Sequence, residues 1–312
     1  MPSANAATGP SDCPQIVALF GPTGVGKTAI AVALAGLLRA DGEDPVAVSA
    51  DALQIYAGLE TLTGAASAAE RAALEHRMIS FLPLDATFSV GQYAELAHAE
   101  IDSLLRAGRR PIVVGGTGLY LRAALADLDL RPPPPEGARA RWTAQLEERG
   151  SPALHAELKQ RAAWAAEKLD VNDARRITRA LESLDAGEQD PPEGPSQLWS
   201  EQLRHPTLLA GLTMDREALY ARIDARVDRI VAGGAREEVR RAHASGVSET
   251  ARKALGFEEL LTGDIEAMKR RTRNYARRQL SWMRKLAGVQ VTDVTAREPL
   301  VVAAEILDSA GA

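Results

Sequence analysis

Sulfur and aromatic rings are scarce in this chain. Its one cysteine, Cys13, leaves no intramolecular disulfide and no cysteine-based metal cluster. The five histidines are scattered without ligand spacing, and both facts suit a reducing cytoplasm. Aromatics make up only 4% of the residues, so a core must be built mostly from Ala, Leu, Val and Ile. Long apolar runs are missing too. Residues 16–38 come nearest, but "GPTGVGK" breaks them with a proline, three glycines and a lysine, which argues against a membrane span. The opening "MPSANAATGPSDCPQ" lacks the basic start and apolar centre of a signal peptide, and 1–14 reads as a tail. A formal net charge of −5 argues against a protein whose whole surface binds nucleic acid, while leaving room for a local basic face.

The 312 residues are 46% hydrophobic and 25% charged, an ordinary globular composition for one large domain or two smaller ones. Nothing in the sequence demands more than a monomer. "QIVALF" (15–20) reads as a buried strand and the stretch from Lys27 as a helix. "PVAVSAD" (45–51) reads as a second strand. "VGQYAELAHAEIDSLLRAGRR" is a helix with C-terminal chemistry, and "PIVVGGTGLY" (111–120) is a third buried strand. This alternation predicts an α/β fold: a P-loop NTPase-like parallel sheet flanked by helices. Pro/Gly-rich punctuation at "LRPPPPEG" and "GEQDPPEGPSQ" brackets Ala/Glu/Arg-rich helical stretches. We therefore expect a small all-helical insertion at 123–205, with 15–122 and 206–312 forming the core.

Gly21, Pro22, Thr23, Gly24, Val25, Gly26, Lys27 and Thr28 fit G-x-x-x-x-G-K-[ST] in full, between a strand and a helix as the motif requires. The glycines let backbone N–H groups turn inward, Lys27 reaches phosphate oxygens and the Thr28 hydroxyl can hold Mg²⁺. In an open parallel sheet the crevice lies beyond the carboxyl ends of the strands. Asp51 ends the second strand and Thr117 the third. Asp51 reads as a general base, or else as a holder of Mg²⁺-bound water or a helix cap. Thr117 lies in "GGTGLY", where the backbone can approach a ligand; a plain threonine cap is the alternative.

Residues 269–285, "KRRTRNYARRQLSWMRK", hold eight basic residues and no acidic one. At helical spacing Arg270, Arg271, Arg273, Arg277, Arg278, Arg284 and Lys285 share one arc. Ala276, Leu280, Met283 and Ala287 form an apolar stripe, with Tyr275 and Trp282 on the other edge. We expect the stripe to dock on the core, the arc to face a polyanion, and the two rings to stack on unpaired bases. A merely solvated basic face is the alternative.

With these motifs in order, the chain resembles the tRNA dimethylallyltransferases. The resemblance runs from about residue 15 to 288 and includes "GPTGVGKT", "SADALQIYAG", "FSVGQYAELA", "PIVVGGTGLYL", "NDARRITRALE", "REALYARIDARVDRI", "ALGFEEL" and "RNYARRQLSWMRK". It implies that the loop holds the diphosphate of dimethylallyl diphosphate with Mg²⁺. Asp51 would then act as the base on the exocyclic amino group of an adenine beside the anticodon, with Thr117 near the reacting centre. It further implies that Ala52, Leu53 and Gln54 meet the flipped adenine and that Arg139, Arg175, Arg176, Arg179, Arg278 and Gln279 grip tRNA. The chain departs from the family pattern at Ala52-Leu53, at "TLTGAAS" (61–67), at Glu75-His76 and at Phe257.

Three rivals share the loop. An isopentenyltransferase acting on free AMP, ADP or ATP would leave the basic helix and insertion idle. A small-metabolite kinase would use Asp51 to orient a hydroxyl. A non-catalytic nucleotide switch or RNA-binding module would need no base at all.

Overall fold

The computed structural model describes residues 15–130, 135–187, 190–191 and 197–309. The tail expected at 1–14, with Cys13, and most of the proline-rich punctuation lie outside them.

Six parallel strands form one sheet in the order β3-β2-β4-β1-β5-β6. They are β1 (Ile16–Phe20), β2 (Pro45–Ser49), β3 (Glu75–Arg77), β4 (Arg110–Gly115), β5 (Thr207–Thr213) and β6 (Gln290–Asp293). The β-branched runs make the centre. All five residues of β1 and all five of β2 are buried, as strands covered on both faces must be. β1 lies between β4 and β5, pairing Phe20 with Gly115 on one side and with Gly211 on the other.

The helices used below are α1 (Lys27–Ala40), α2 (Val90–Arg106), α3 (Gly118–Leu125), α4 (Ala138–Arg161), α5 (Ala174–Asp185), α6 (Arg216–Ala232), α7 (Ile265–Met283) and α8 (Pro299–Asp308). α1 buries Ile30, Ala31, Leu34, Ala35 and Leu38, the one-sided spacing of a surface helix docking on a sheet. Its core partners include Leu19, Ile112, Leu212, Val302 and Ile306. Ser89 starts α2 with a reciprocal capping box to Gln92, which sets where that helix begins.

The chain divides into two compact units, the second made of the described residues within 129–196. Its limits are narrower than the expected 123–205. α3 continues to Leu125, and Arg204 pairs with Asp102 of α2 at 2.9 Å and with Asp127 at 2.7 Å, so both flanks belong with the sheet. The second unit has its own core of Trp142, Leu154, Leu158, Ile177 and Leu181 between α4 and α5. α4 is broken at Gly150, whose φ of 77° is left-handed.

Candidate active site

The loop between β1 and α1 is shaped by its glycines. Gly26 takes φ 107° at the N-cap of α1, a conformation L side chains rarely adopt. No side chain caps the helix, so the N–H groups of its first turn are left for an anion. Lys27 is partly buried at this end, its ammonium donating to the carbonyls of Gly21 (2.9 Å) and Pro22 (3.0 Å). Burial pulls its pKa down to about 8; Asp51 opposes that shift and Arg226 adds to it. Val25 is buried and seats the loop. Thr23 differs from the rest, because its N–H is held by the side-chain oxygen of Gln279 at 2.8 Å. Thr28 stands in the first turn of α1, next to Lys27.

Asp51 and Thr117 each lie two residues past a strand end, Asp51 after β2 and Thr117 after β4. A side chain on Gly115 would put its Cβ 2.3 Å from the carbonyl oxygen of Ala50, so only glycine lets these two exits come so close. The Oδ1 of Asp51 accepts the N–H of Leu53 (2.9 Å) and of Gln54 (3.4 Å). Asp51 thus closes the turn through one oxygen. Its other oxygen accepts no hydrogen bond from a described residue. Thr117 occupies the N-cap of α3 but makes no side-chain cap. Its Oγ1 instead lies 3.3 Å from the Tyr275 hydroxyl, which removes the plain-cap reading.

Tyrosine is concentrated here in a chain with few rings. Tyr275 is pushed up to about 12, first by burial and next by the charge of Asp51. Tyr120 is also raised to about 12, by burial, then Tyr56, then Asp51. Tyr93 is fully buried, donates to the Ser49 carbonyl at 2.9 Å and packs on Tyr120 at 4.6 Å; burial and the Asp51 charge raise it as well. The charge of partly buried Asp51 is therefore felt by three phenols and by the Lys27 ammonium.

α6 supplies two basic residues that the sequence reading passed over. A Cβ on Gly26 would lie 3.2 Å from Nη2 of Arg222, so this guanidinium sits over the start of α1. Arg226, one turn on, is partly buried and donates to the Thr63 carbonyl at 3.0 Å; desolvation lowers its pKa and the charge of Asp51 opposes that shift. The available signal was two arginines four apart in "REALYARIDARV", on a helix following the strand that pairs with β1.

The inner face of the basic helix also differs from expectation. α7 buries Met268, Thr272, Ala276, Gln279 and Met283, and Tyr275 and Trp282 turn inward too. A Cβ on Gly118 would lie 2.2 Å from the Trp282 ring, and Trp282 packs on Trp199 at 4.7 Å. The two rings thus pack against the strand-end turn, not outward for stacking on bases. The arc itself is partly neutralised. Arg271 pairs with Glu259 (2.8 Å), Arg273 with Asp224 (2.5 Å) and Lys269 with Asp228 (2.8 Å). Arg278 is exposed, its guanidinium 5.5 Å from the centre of the Tyr275 ring.

The remaining expected residues are dispersed. Ala52, Leu53 and Gln54 are partly buried in the turn after Asp51, and the Gln54 amide lies 3.4 Å from both the Ser49 hydroxyl and the Gly64 carbonyl. Arg139, Arg175, Arg176 and Arg179 belong to the second unit and are exposed there. Arg139 and Arg179 both reach buried Glu182, at 3.3 and 3.2 Å. Of the departures, Phe257 is fully buried core and Glu75 is an ion-pair partner of Arg77 and Arg109 on an edge strand.

Comparison with known proteins decides the family. The model of the IPP transferase family matches residues 54–286. The chain belongs to that family. A tRNA dimethylallyltransferase of Kineococcus radiotolerans is 40% identical over 282 residues, covering 86% of this chain and 88% of that one. One from Geobacillus thermodenitrificans is 36% identical, covering 93% and 94%. Among solved structures, the tRNA isopentenylpyrophosphate transferase of Bacillus halodurans superposes with a TM-score of 0.67 at 30% identity, covering 95% and 97%. A eukaryotic dimethylallyltransferase acting on tRNA gives 0.71 at 25% identity, covering 90% and 74%.

Proposed function

We propose that this family member transfers a dimethylallyl group from dimethylallyl diphosphate to the exocyclic amino group of the adenine just 3′ of the anticodon in tRNA, releasing diphosphate. The observation that carries the proposal is the pairing of an uncapped helix start and its partly buried ammonium with a strand-end carboxylate whose charge that ammonium feels: α1, Lys27 and Asp51. The first two suit a departing diphosphate. The third suits a nucleophile that must lose a proton.

In the proposed reaction the allylic C–O bond breaks and its electron pair leaves with the diphosphate. The amino nitrogen forms the new C–N bond, and its proton goes to the free oxygen of Asp51. The first-turn N–H groups of α1, the Lys27 ammonium and the Arg222 guanidinium stabilise the charge growing on the leaving group, where fixed donors lower the barrier most. Tyr275 holds the Thr117 hydroxyl beside the acceptor. Adenine enters the crevice unstacked, which costs less from a single-stranded loop than from a duplex.

The Thr28 hydroxyl in the first turn of α1 is a hard oxygen of the kind Mg²⁺ takes, usually one or two from protein with phosphates and water filling its shell. Thr28 would hold it beside the loop, where it would neutralise diphosphate charge. For RNA we assign the exposed Arg278, with Arg139, Arg175, Arg176 and Arg179 of the second unit. Among the described residues no helix is long and apolar enough to cross a membrane.

The test is a labelled-donor assay with Mg²⁺, offering tRNA that carries adenine beside the anticodon and free AMP side by side. Label on tRNA is expected. Label only on AMP would favour the free-nucleotide rival, and none on either would end the proposal.

A further inference from the structure

Gln279 stands apart from the rest of the basic helix. It is only 4% exposed, on the face of α7 that points away from solvent. Its Oε1 accepts the N–H of Thr23 at 2.8 Å, and its Nε2 donates to the carbonyl of Gly116 at 2.6 Å. One side chain therefore ties the phosphate loop to the turn beyond β4, bridging segments 256 and 163 residues away in sequence. A carboxamide offers an acceptor and a donor from one planar group, as this pair of partners requires. The fit is tight: a Cβ on Gly116 would lie 2.3 Å from Nε2 of Gln279. Residues on either side of Gln279 along the same face touch the same turn, Tyr275 at Thr117 and Trp282 at Gly118.

We infer that Gln279 is a positioning residue for the diphosphate cradle and not a contact of the RNA. By holding the N–H of Thr23 it anchors the entrance of the loop, so that the N–H groups from Gly24 onward stay turned to one point. Its second bond fixes that point relative to Thr117. α7 thereby serves the site with its buried face while its exposed face presents Arg278. The inference rests on reading the loop as a diphosphate cradle.

The experiment measures binding of Mg²⁺–diphosphate and of tRNA separately, by titration calorimetry and filter binding, with KM for dimethylallyl diphosphate and for tRNA from turnover. Gln279→Met keeps length and volume but loses both bonds. It is expected to weaken diphosphate binding and raise donor KM about tenfold, as loss of an ordinary hydrogen-bonded anchor does. tRNA affinity and tRNA KM should stay within twofold of wild type. Gly116→Ala, which displaces the amide, should give the same pattern. Combining the two substitutions should add little, because each removes the same link. Thermal melting of each variant separates this from misfolding, and Gln279→Asn supplies a milder variant should Gln279→Met not fold. Loss of tRNA affinity with diphosphate binding intact, or fully additive losses in the double variant, would overturn the inference while leaving prenyl transfer standing. A wild-type protein that bound no diphosphate would overturn both.

Discussion

Burial holds Lys27 at about 8 although Asp51 pulls it upward, and this fixes how diphosphate binding should depend on pH. A bound diphosphate prefers the charged ammonium, so above about 8 binding must take up a proton. Affinity for Mg²⁺–diphosphate is expected to be flat from pH 6.5 to 7.5 and then to fall towards about tenfold per pH unit, the limit for one coupled proton. Lys27→Met should bind weakly at every pH and lose the slope, which calorimetry at several pH values would show. The same shift has a stability consequence of defined sign. Between about 8 and the ordinary 10.5 the unfolded chain keeps a proton that the folded chain releases, so this group's contribution to stability rises with pH across that window. At this scale the placement of Lys27 at the loop and of Asp51 and Thr117 just past strand ends was legible, because a contiguous motif or a strand end announces each. That Arg222 lies over Gly26 and Tyr275 beside Thr117 was not, because each arrives only when a distant helix is laid against the loop.

The basic helix shows what a helical wheel can and cannot say. Spacing alone placed Ala276 and Met283 on a docking face, and both are buried. It could not say that the face continues through Gln279 or takes in Tyr275 and Trp282, since a polar or amphipathic side chain is buried only when a partner is supplied for its polar atoms. The carbonyl of Gly116, the N–H of Thr23 and the hydroxyl of Thr117 are those partners, and none is visible from residues 269–285. The inward position of Trp282 leads to a measurable distinction. Trp282→Ala is expected to cost about 2–3 kcal/mol in urea unfolding, the lower end for a large ring because Trp282 is only half-buried. RNA affinity measured well below the melting temperature should hold. A drop in RNA affinity with unchanged stability would restore the stacking role suggested by sequence.

Over the whole molecule, the sheet was the most legible feature, because β1, β2 and β4 are built on short apolar runs that are buried at the centre. β3, with three partly buried polar residues, and β6, mostly exposed, carry no such pattern and exist by pairing on the edges. A change of composition marks the second unit, whereas the ion pairs of Arg204 with Asp102 and Asp127, which no local pattern reveals, keep its flanks within the first unit. Charge behaves the same way. A net charge of −5 coexists with local basic surface, and the ion pairs on α7 reduce what that surface can offer RNA. Lys269, Arg271 and Arg273 are already matched by carboxylates; among the described residues Arg277 and Arg284 donate to the neutral Asn274 and Ser281. Phosphate contacts should therefore come from Arg270, Arg277, Arg278, Arg284 and Lys285 and not from the whole arc. At about 0.7 per contact on single-stranded RNA, these five give a slope of log affinity against log salt of roughly −3 to −4, with any contacts of the second unit added. Arg278→Ala should make the slope shallower by about 0.7, whereas Arg273→Ala should leave it unchanged, because that guanidinium is bound to Asp224 before RNA arrives. Filter binding across a salt series would read both, and equal changes for the two variants would show that the ion pairs open to meet the RNA.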